Sequence, residues 1–185
     1  LRSISRGLPK QLKIRTHFAA MPWQEVPDFI ADMAEILTAS EPVRLAIEFL
    51  ILTAARSGEV RGARWSEFDL EAKAWSILAE RMKGGRAHRV PLSDRAVEIL
   101  ERMRVFRRTD DPSALVFEGQ KPGRPFSDMT LTMPIRRAKL PITVHGFRSA
   151  FRDWCAEATS TPREIAEACL AHVVKNTAEA AYART

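Results

Sequence analysis

Cysteine is nearly missing from this sequence: Cys155 and Cys169 are the only two in 185 residues. Neither belongs to a paired set of Cys or His at metal-ligand spacing. That excludes a disulfide framework and a zinc site as organising principles, and the apolar helical surroundings predict two buried free thiols. No apolar run approaches the ~18 residues a membrane span requires, and the first residues lack the basic, apolar, then small-residue order of a secretory signal. The expectation is a soluble, cytoplasmic protein with no membrane partner. No internal repeat, low-complexity tract or carboxylate cluster at metal spacing is visible. Tyrosine is scarcer still, with Tyr182 alone beside nine Phe and four Trp.

What is present fits one globular domain able to bury a real core, with 45% hydrophobic and 28% charged residues. The formal charge of +6 favours a polyanionic partner. The chain opens on Leu rather than Met and stops three residues after Tyr182, so both ends read as cuts in a longer protein.

Residues 1–20, with Arg2, Arg6, Lys10, Lys13 and Arg15 and little periodicity, read as a basic linker, and the packed domain is expected over 21–185. "PWQEVPDFIADMAEIL" and "EPVRLAIEFLILTAA" have helical patterning, the second apolar enough for a central helix. After a break at 56–58, "RSGEVRGARW" starts a further turn or two. Then the period changes. "AWSILA" and "HRVPLS" are β-like runs flanking the basic, Gly-rich "ERMKGGRA", which predicts a hairpin or small antiparallel sheet. Ser93 is placed to cap "DRAVEILERMRVF", "SALVF" reads as an added edge strand, and "DMTLTMPIRRAKL" as a Pro-disturbed helix. Three helices close the chain. Thr143 is placed to cap "VHGFRSAFRDWCAEA", a capping box of Thr161, Pro162 and Glu164 to start "PREIAEACLA", and Asn176 or Thr177 to start "AEAAYAR". The fold class is α+β, mostly helical, with one small antiparallel sheet.

Several residue types can carry chemistry, and each also has an ordinary structural use. On the helix after Thr143, Val144, Phe147, Phe151 and Trp154 form an apolar stripe, while His145 and Arg148, one turn apart, can reach a single oxyanion or simply form a solvated basic face. Arg56 stands where a very apolar helix gives way to "RSGE", a place suited to holding a phosphate or to pairing with Glu59 at i+3. Lys83 sits at the hairpin tip beside Gly84 and Gly85. His172 ends the capped helix, and Tyr182 follows ten residues on among small neighbours that leave its ring protruding.

Taken in order, Arg56 in "TAARSGEVRGARW", Lys83 before "RVPLS", His145 and Arg148 in "HGFRSAFRDW", His172 in "CLAH" and Tyr182 in "AAYAR" resemble the active site of the tyrosine recombinases. "HFAAMPW", "ARWSEFDL" and "LAHVVKNTAEAAYAR" are similar to integrases of temperate phages and genomic islands. The resemblance covers residues 17–185. It implies the catalytic domain of a site-specific recombinase, truncated just after its nucleophile. In such a domain the Tyr182 hydroxyl cuts one strand, holds a 3′-phosphotyrosyl link and releases a 5′-hydroxyl. Arg56 and Arg148 then hold the non-bridging oxygens, and Lys83 serves as general acid to the leaving 5′-oxygen. His145 gives acid–base help, His172 hydrogen-bonds the phosphate, and Glu59 supports Arg56. No cofactor and no metal are implied. The implied partners are double-stranded DNA attachment sites, a homotetramer of the full-length protein, and an excision-directing accessory protein.

Three rival readings predict different behaviour. A type IB topoisomerase-like domain would religate the same strand. A non-catalytic DNA-binding module would be indifferent to Tyr182→Phe. A structural domain with incidental charge would show no salt-sensitive DNA binding.

Overall fold

The structure is a computed structural model and describes residues 19–172. Its centre is the most apolar stretch of the sequence. Helix α3 (Glu41–Thr53) starts with a proline in its first turn and buries Val43, Leu45, Ala46, Ile47, Phe49 and Leu50. A helix apolar on most of its circumference is stable only when wrapped, and the other elements supply the wrapping. Ahead of it lie α1 (Val26–Ala31) and α2 (Met33–Ile36), separated by Asp32, so the expected first helix is two short pieces that bury Phe29 and Met33.

The predicted hairpin is present and gains a strand. Strands β1 (Phe68–Asp69), β2 (Ala74–Ile77) and β3 (His88–Pro91) form one antiparallel sheet in that order, with Trp75 opposite Val90 and Ile77 opposite His88. The period of two turns Trp75 and Ile77 inward and Ser76 outward. Trp75 is fully buried against Phe49, with ring centroids 5.5 Å apart, and Phe68 stacks on it at 5.4 Å. Its indole N–H donates to buried Glu67 at 2.9 Å, which satisfies the polar edge of an otherwise apolar cluster.

Helix α5 (Asp94–Met103) follows the sheet and is capped as expected, Ser93 Oγ accepting from Ala96 N at 3.3 Å. Its Ile99, Leu100 and Met103 face the core, and Arg95 clasps buried Glu48 of α3 with two bonds of 2.6 and 3.1 Å. Helices α6 (Thr132–Arg137), α7 (Gly146–Ala158) and α8 (Arg163–Cys169) complete the described residues. Among these, no helix is long and apolar enough to cross a membrane.

Several expectations are corrected. "SALVF" adds no strand: its backbone bonds run to the 63–66 segment, with Val116 N to Ala63 O at 2.9 Å and Trp65 N to Ala114 O at 3.1 Å, leaving one isolated bridge at Leu115. Pro162 keeps ψ at 144° and stays outside α8 as its N-cap, so the Thr161 capping box does not form. The Thr161 amide instead donates to Thr159 Oγ1 at 3.1 Å. Thr143 does cap α7, accepting from Gly146 N at 3.0 Å, but His145 stays in the N-cap position, just outside the helix. Cys155 is buried as expected, whereas Cys169 is exposed because it lies on the outer side of the last turn of α8. The apolar stripe of α7 leaves the core at Trp154, which is 42% exposed and lines a shallow groove with Trp23, Ile51 and Phe151. The break in the chain falls at 54–56, so Ser57 and Gly58 already belong to α4 (Ser57–Arg61). The Asn176 or Thr177 helix start lies outside the described residues, as does the basic linker apart from its last two positions.

Candidate active site

Two helix ends build the site. Helix α3 stops at Ala54, in the left-handed conformation with φ 48°, and α8 stops before Ala171, also at φ 48°. Left-handed backbone turns the last carbonyls away from the helix axis and lets other donors reach them. In α8 the reversal is a complete Schellman motif. The Ala171 amide donates to Ala168 O at 2.8 Å, and the His172 amide reaches back to Glu167 O at 2.9 Å. The next carbonyls go to side chains. His88 Nε2 lies 3.2 Å from Cys169 O, and Leu170 O accepts from Arg148 Nη2 at 2.7 Å and from Arg56 Nη2 at 3.4 Å.

Arg56 and Arg148 therefore meet on one carbonyl. Arg148 rises from the first turn of α7, is 4% exposed, and also donates through Nη1 to Ala54 O. Three of its five N–H donors are thus committed, to Ala54, Leu170 and His172. Carbonyls at two helix C-termini put partial negative charge where two guanidinium groups would otherwise repel. Burial, then the charge of Arg56, brings the Arg148 pKa down to about 10, against the pull of Glu59 and Glu167, so it stays cationic at neutral pH. Arg56 is the N-cap of α4. Its amide and its Nη1 both donate to the buried Glu59 carboxylate at 2.7 Å, which fixes the guanidinium from behind.

His172 Nε2 lies 3.2 Å from Arg148 Nη2, and His172 Nδ1 lies 2.5 Å from Glu167 Oε2. His145 is exposed, yet partial loss of water around its ring lowers its pKa, and the charges of Arg148, then Arg56, and of Lys83 lower it further. The shift favours the neutral imidazole. The field of Lys83 at His145 brings the hairpin tip into the same electrostatic neighbourhood. Lys83 itself is exposed, two residues beyond Arg81, which anchors the hairpin by donating to Glu59 O at 2.6 Å and pairing with Glu67. Between this hairpin and α8 lies an open cavity of about 310 Å³ lined by Gly84, Arg86, His88, Ala171 and His172.

The structure thus joins Arg56, Glu59, Arg148 and His172 through direct hydrogen bonds and sets His145 and Lys83 within their field. Tyr182 lies outside the described residues. No group of three His, Cys, Asp or Glu side chains able to hold a metal ion occurs among the described residues. Sequence reasoning missed Glu167 and the carbonyls of Ala54 and Leu170. Glu167 is five residues before His172, a spacing that shares no helix face, and only the Schellman reversal brings the two together. An Ala at the left-handed position, where Gly is the usual signal, hid that reversal.

A helical domain folded on a three-stranded sheet, with this order of cationic residues, has the tyrosine recombinase catalytic-domain fold. The chain belongs to the phage integrase family, whose model matches residues 21–185. It is 38% identical over 151 residues to prophage integrase IntA of Escherichia coli, covering 79% of this chain and 35% of that protein. It is 30% identical over 186 residues to the integrase of Enterobacteria phage P4, covering 91% and 42%. The chain therefore spans less than half the length of these curated relatives. Similar solved folds include XerH site-specific recombinase bound to its difH substrate (TM-score 0.66, 21% identity, 86% of this chain and 48% of that one). A lambda integrase dimer bound to a COC′ core site is another (TM-score 0.62, 18% identity, 91% and 60%).

Proposed function

We propose that this chain is the strand-cleaving and strand-joining part of a site-specific DNA recombinase that integrates or excises a prophage or genomic island. The observation that carries the reading is the meeting of Arg56 and Arg148 on the Leu170 carbonyl, with His172 bonded to Arg148. An anionic phosphoryl group is a stronger acceptor than a neutral carbonyl. Two guanidinium groups held this close therefore suit the non-bridging oxygens of one phosphodiester and the added charge of its pentacoordinate transition state.

In the proposed reaction the Tyr182 oxygen attacks phosphorus, the bond to the 5′-oxygen breaks, and a 3′-phosphotyrosyl link forms. A phenol of ordinary pKa ~10 is ionised only about once per thousand molecules near pH 7. His145 in a field of cations answers that need: it gives acid–base help on the nucleophile side, and the surrounding charge favours phenolate. Lys83 delivers a proton to the departing 5′-oxygen. Glu59 holds Arg56 in place. Reversal by the 5′-hydroxyl of another strand completes the exchange, with the phosphodiester energy kept in the tyrosyl link. Double-stranded attachment-site DNA is the substrate, and the full-length protein acts as a tetramer, its direction set by an accessory protein.

A nicked suicide duplex carrying the attachment core, incubated with the full-length protein and resolved on a denaturing gel, tests this. The wild type forms a covalent adduct and Tyr182→Phe forms none. An adduct from the Phe variant, or its absence from the wild type, overturns the nucleophile assignment.

A further inference from the structure

Glu167 has no part in the reaction steps proposed for this site, yet its carboxylate is only 14% exposed and makes the 2.5 Å contact with His172 Nδ1. We propose that Glu167 is a positioning residue: it fixes the ring and tautomer of His172, and through that ring the guanidinium of Arg148. Its consequence for the reaction rests on the function proposed above, whereas its effect on His172 does not.

The donor inventory carries the argument. Arginine has only N–H donors, so at 3.2 Å from Arg148 Nη2 the Nε2 of His172 has to be the acceptor, with a free lone pair. The ring proton then sits on Nδ1, facing Glu167 Oε2. A carboxylate only accepts, so it enforces the same tautomer from the other side. The two contacts agree, and the result is a directional chain: Glu167 accepts from His172, and His172 accepts from Arg148.

The backbone explains why the pair forms. In a Schellman motif the side chains of the third-last helical residue and of the second residue past the cap are brought together, most often as an apolar contact. Here these positions are Glu167 and His172, tied also by the 2.9 Å amide-to-carbonyl bond. A polar, hydrogen-bonded pair occupies a place where hydrophobic packing would suffice for the helix end alone. The ring's other nitrogen meets buried Arg148.

Two measurements on the full-length protein test the proposal. Nitrogen NMR at pH 8 reads the tautomer, with His172→Asn assigning the signal. The wild type shows the Nδ1–H form, Glu167→Gln keeps it through the amide oxygen, and Glu167→Ala moves it toward the Nε2–H form. An unchanged tautomer in Glu167→Ala overturns the proposal. In single-turnover cleavage of the suicide duplex, Glu167→Ala slows adduct formation about 10- to 100-fold, the usual cost of removing a residue that orients a site group, and Glu167→Gln recovers part of the rate. In a His172→Ala background, Glu167→Ala changes the rate by less than about twofold, because its effect runs through that ring. The same loss in both backgrounds overturns the proposal. If the wild type forms no Tyr182 adduct, the functional reading falls and the tautomer alone decides the role of Glu167.

Discussion

Gly146, between His145 and Arg148, is where a single methyl group would do most harm to this site. A Cβ built there meets the Ala19 carbonyl oxygen at 2.2 Å, Ala20 Cα at 2.9 Å and Ala19 C at 3.0 Å. All three are backbone atoms, so no side chain can swing away. The same Ala19 oxygen accepts from Thr143 N at 2.9 Å, which ties the segment in place just ahead of α7. Relief requires a shift of about 1 Å, either of the first turn of α7 or of the 19–20 segment. Overpacking of this kind costs about 1–3 kcal/mol, against at most about 1 kcal/mol of improved helix propensity. We expect Gly146→Ala to be destabilised by about 1–2 kcal/mol, a fall in Tm of about 2–8 °C for a domain of this size. Cleavage should suffer more than stability, because a 1 Å misplacement of a phosphate-holding group costs about 100-fold. Gly58→Ala is the control. It also lies in a helix, α4, but nothing stands within 4 Å of its Cβ, so this variant keeps or slightly raises the Tm. Thermal melts of the two variants with suicide-duplex cleavage decide the matter. A Gly146→Ala protein with wild-type Tm and a cleavage rate within about twofold of wild type would refute the close-packing argument.

Two further expectations follow from the helix ends and the histidines. Ala171 adopts φ 48°, a conformation costing an L-residue about 1–2 kcal/mol that glycine escapes, less the greater freedom glycine has when unfolded. Ala171→Gly should therefore raise Tm by about 1–3 °C in calorimetry, and a fall in Tm would mean the left-handed turn is unstrained. His145 has a lowered pKa, so the folded state prefers its neutral form, and the stability it contributes is present above the unfolded value of ~6.5 and lost as pH falls through the folded one. Tm measured from pH 7 to pH 5 should drop more steeply for the wild type than for His145→Asn, and parallel curves would contradict the assigned shift.

The order of Arg56, Lys83, His145, Arg148, His172 and Tyr182 was legible because four chemical types, Arg, Lys, His and Tyr, each stand in a recognisable local wording. So were the central helix, the hairpin and the Ser93 cap, since apolar period and cap chemistry are local properties. The short-range signals failed where backbone bonds found distant partners. Leu115 turned to the 63–66 segment instead of the sheet, and Pro162 stayed outside the helix it was expected to begin.

By itself, then, the sequence determined the order of these residue types along the chain and the local patterning around them. Only the tertiary structure decided what they do to one another. Arg148 is a buried cation held by carbonyls from α3 and α8, where the local sequence pattern favoured a solvated basic face. Glu167 grips His172 because a left-handed alanine folds the chain back on its own helix end. Periodicity along one helix cannot register such contacts, since they arise where a helix stops: there the chain reverses, and unpaired carbonyls turn to residues about 20 to 115 positions away.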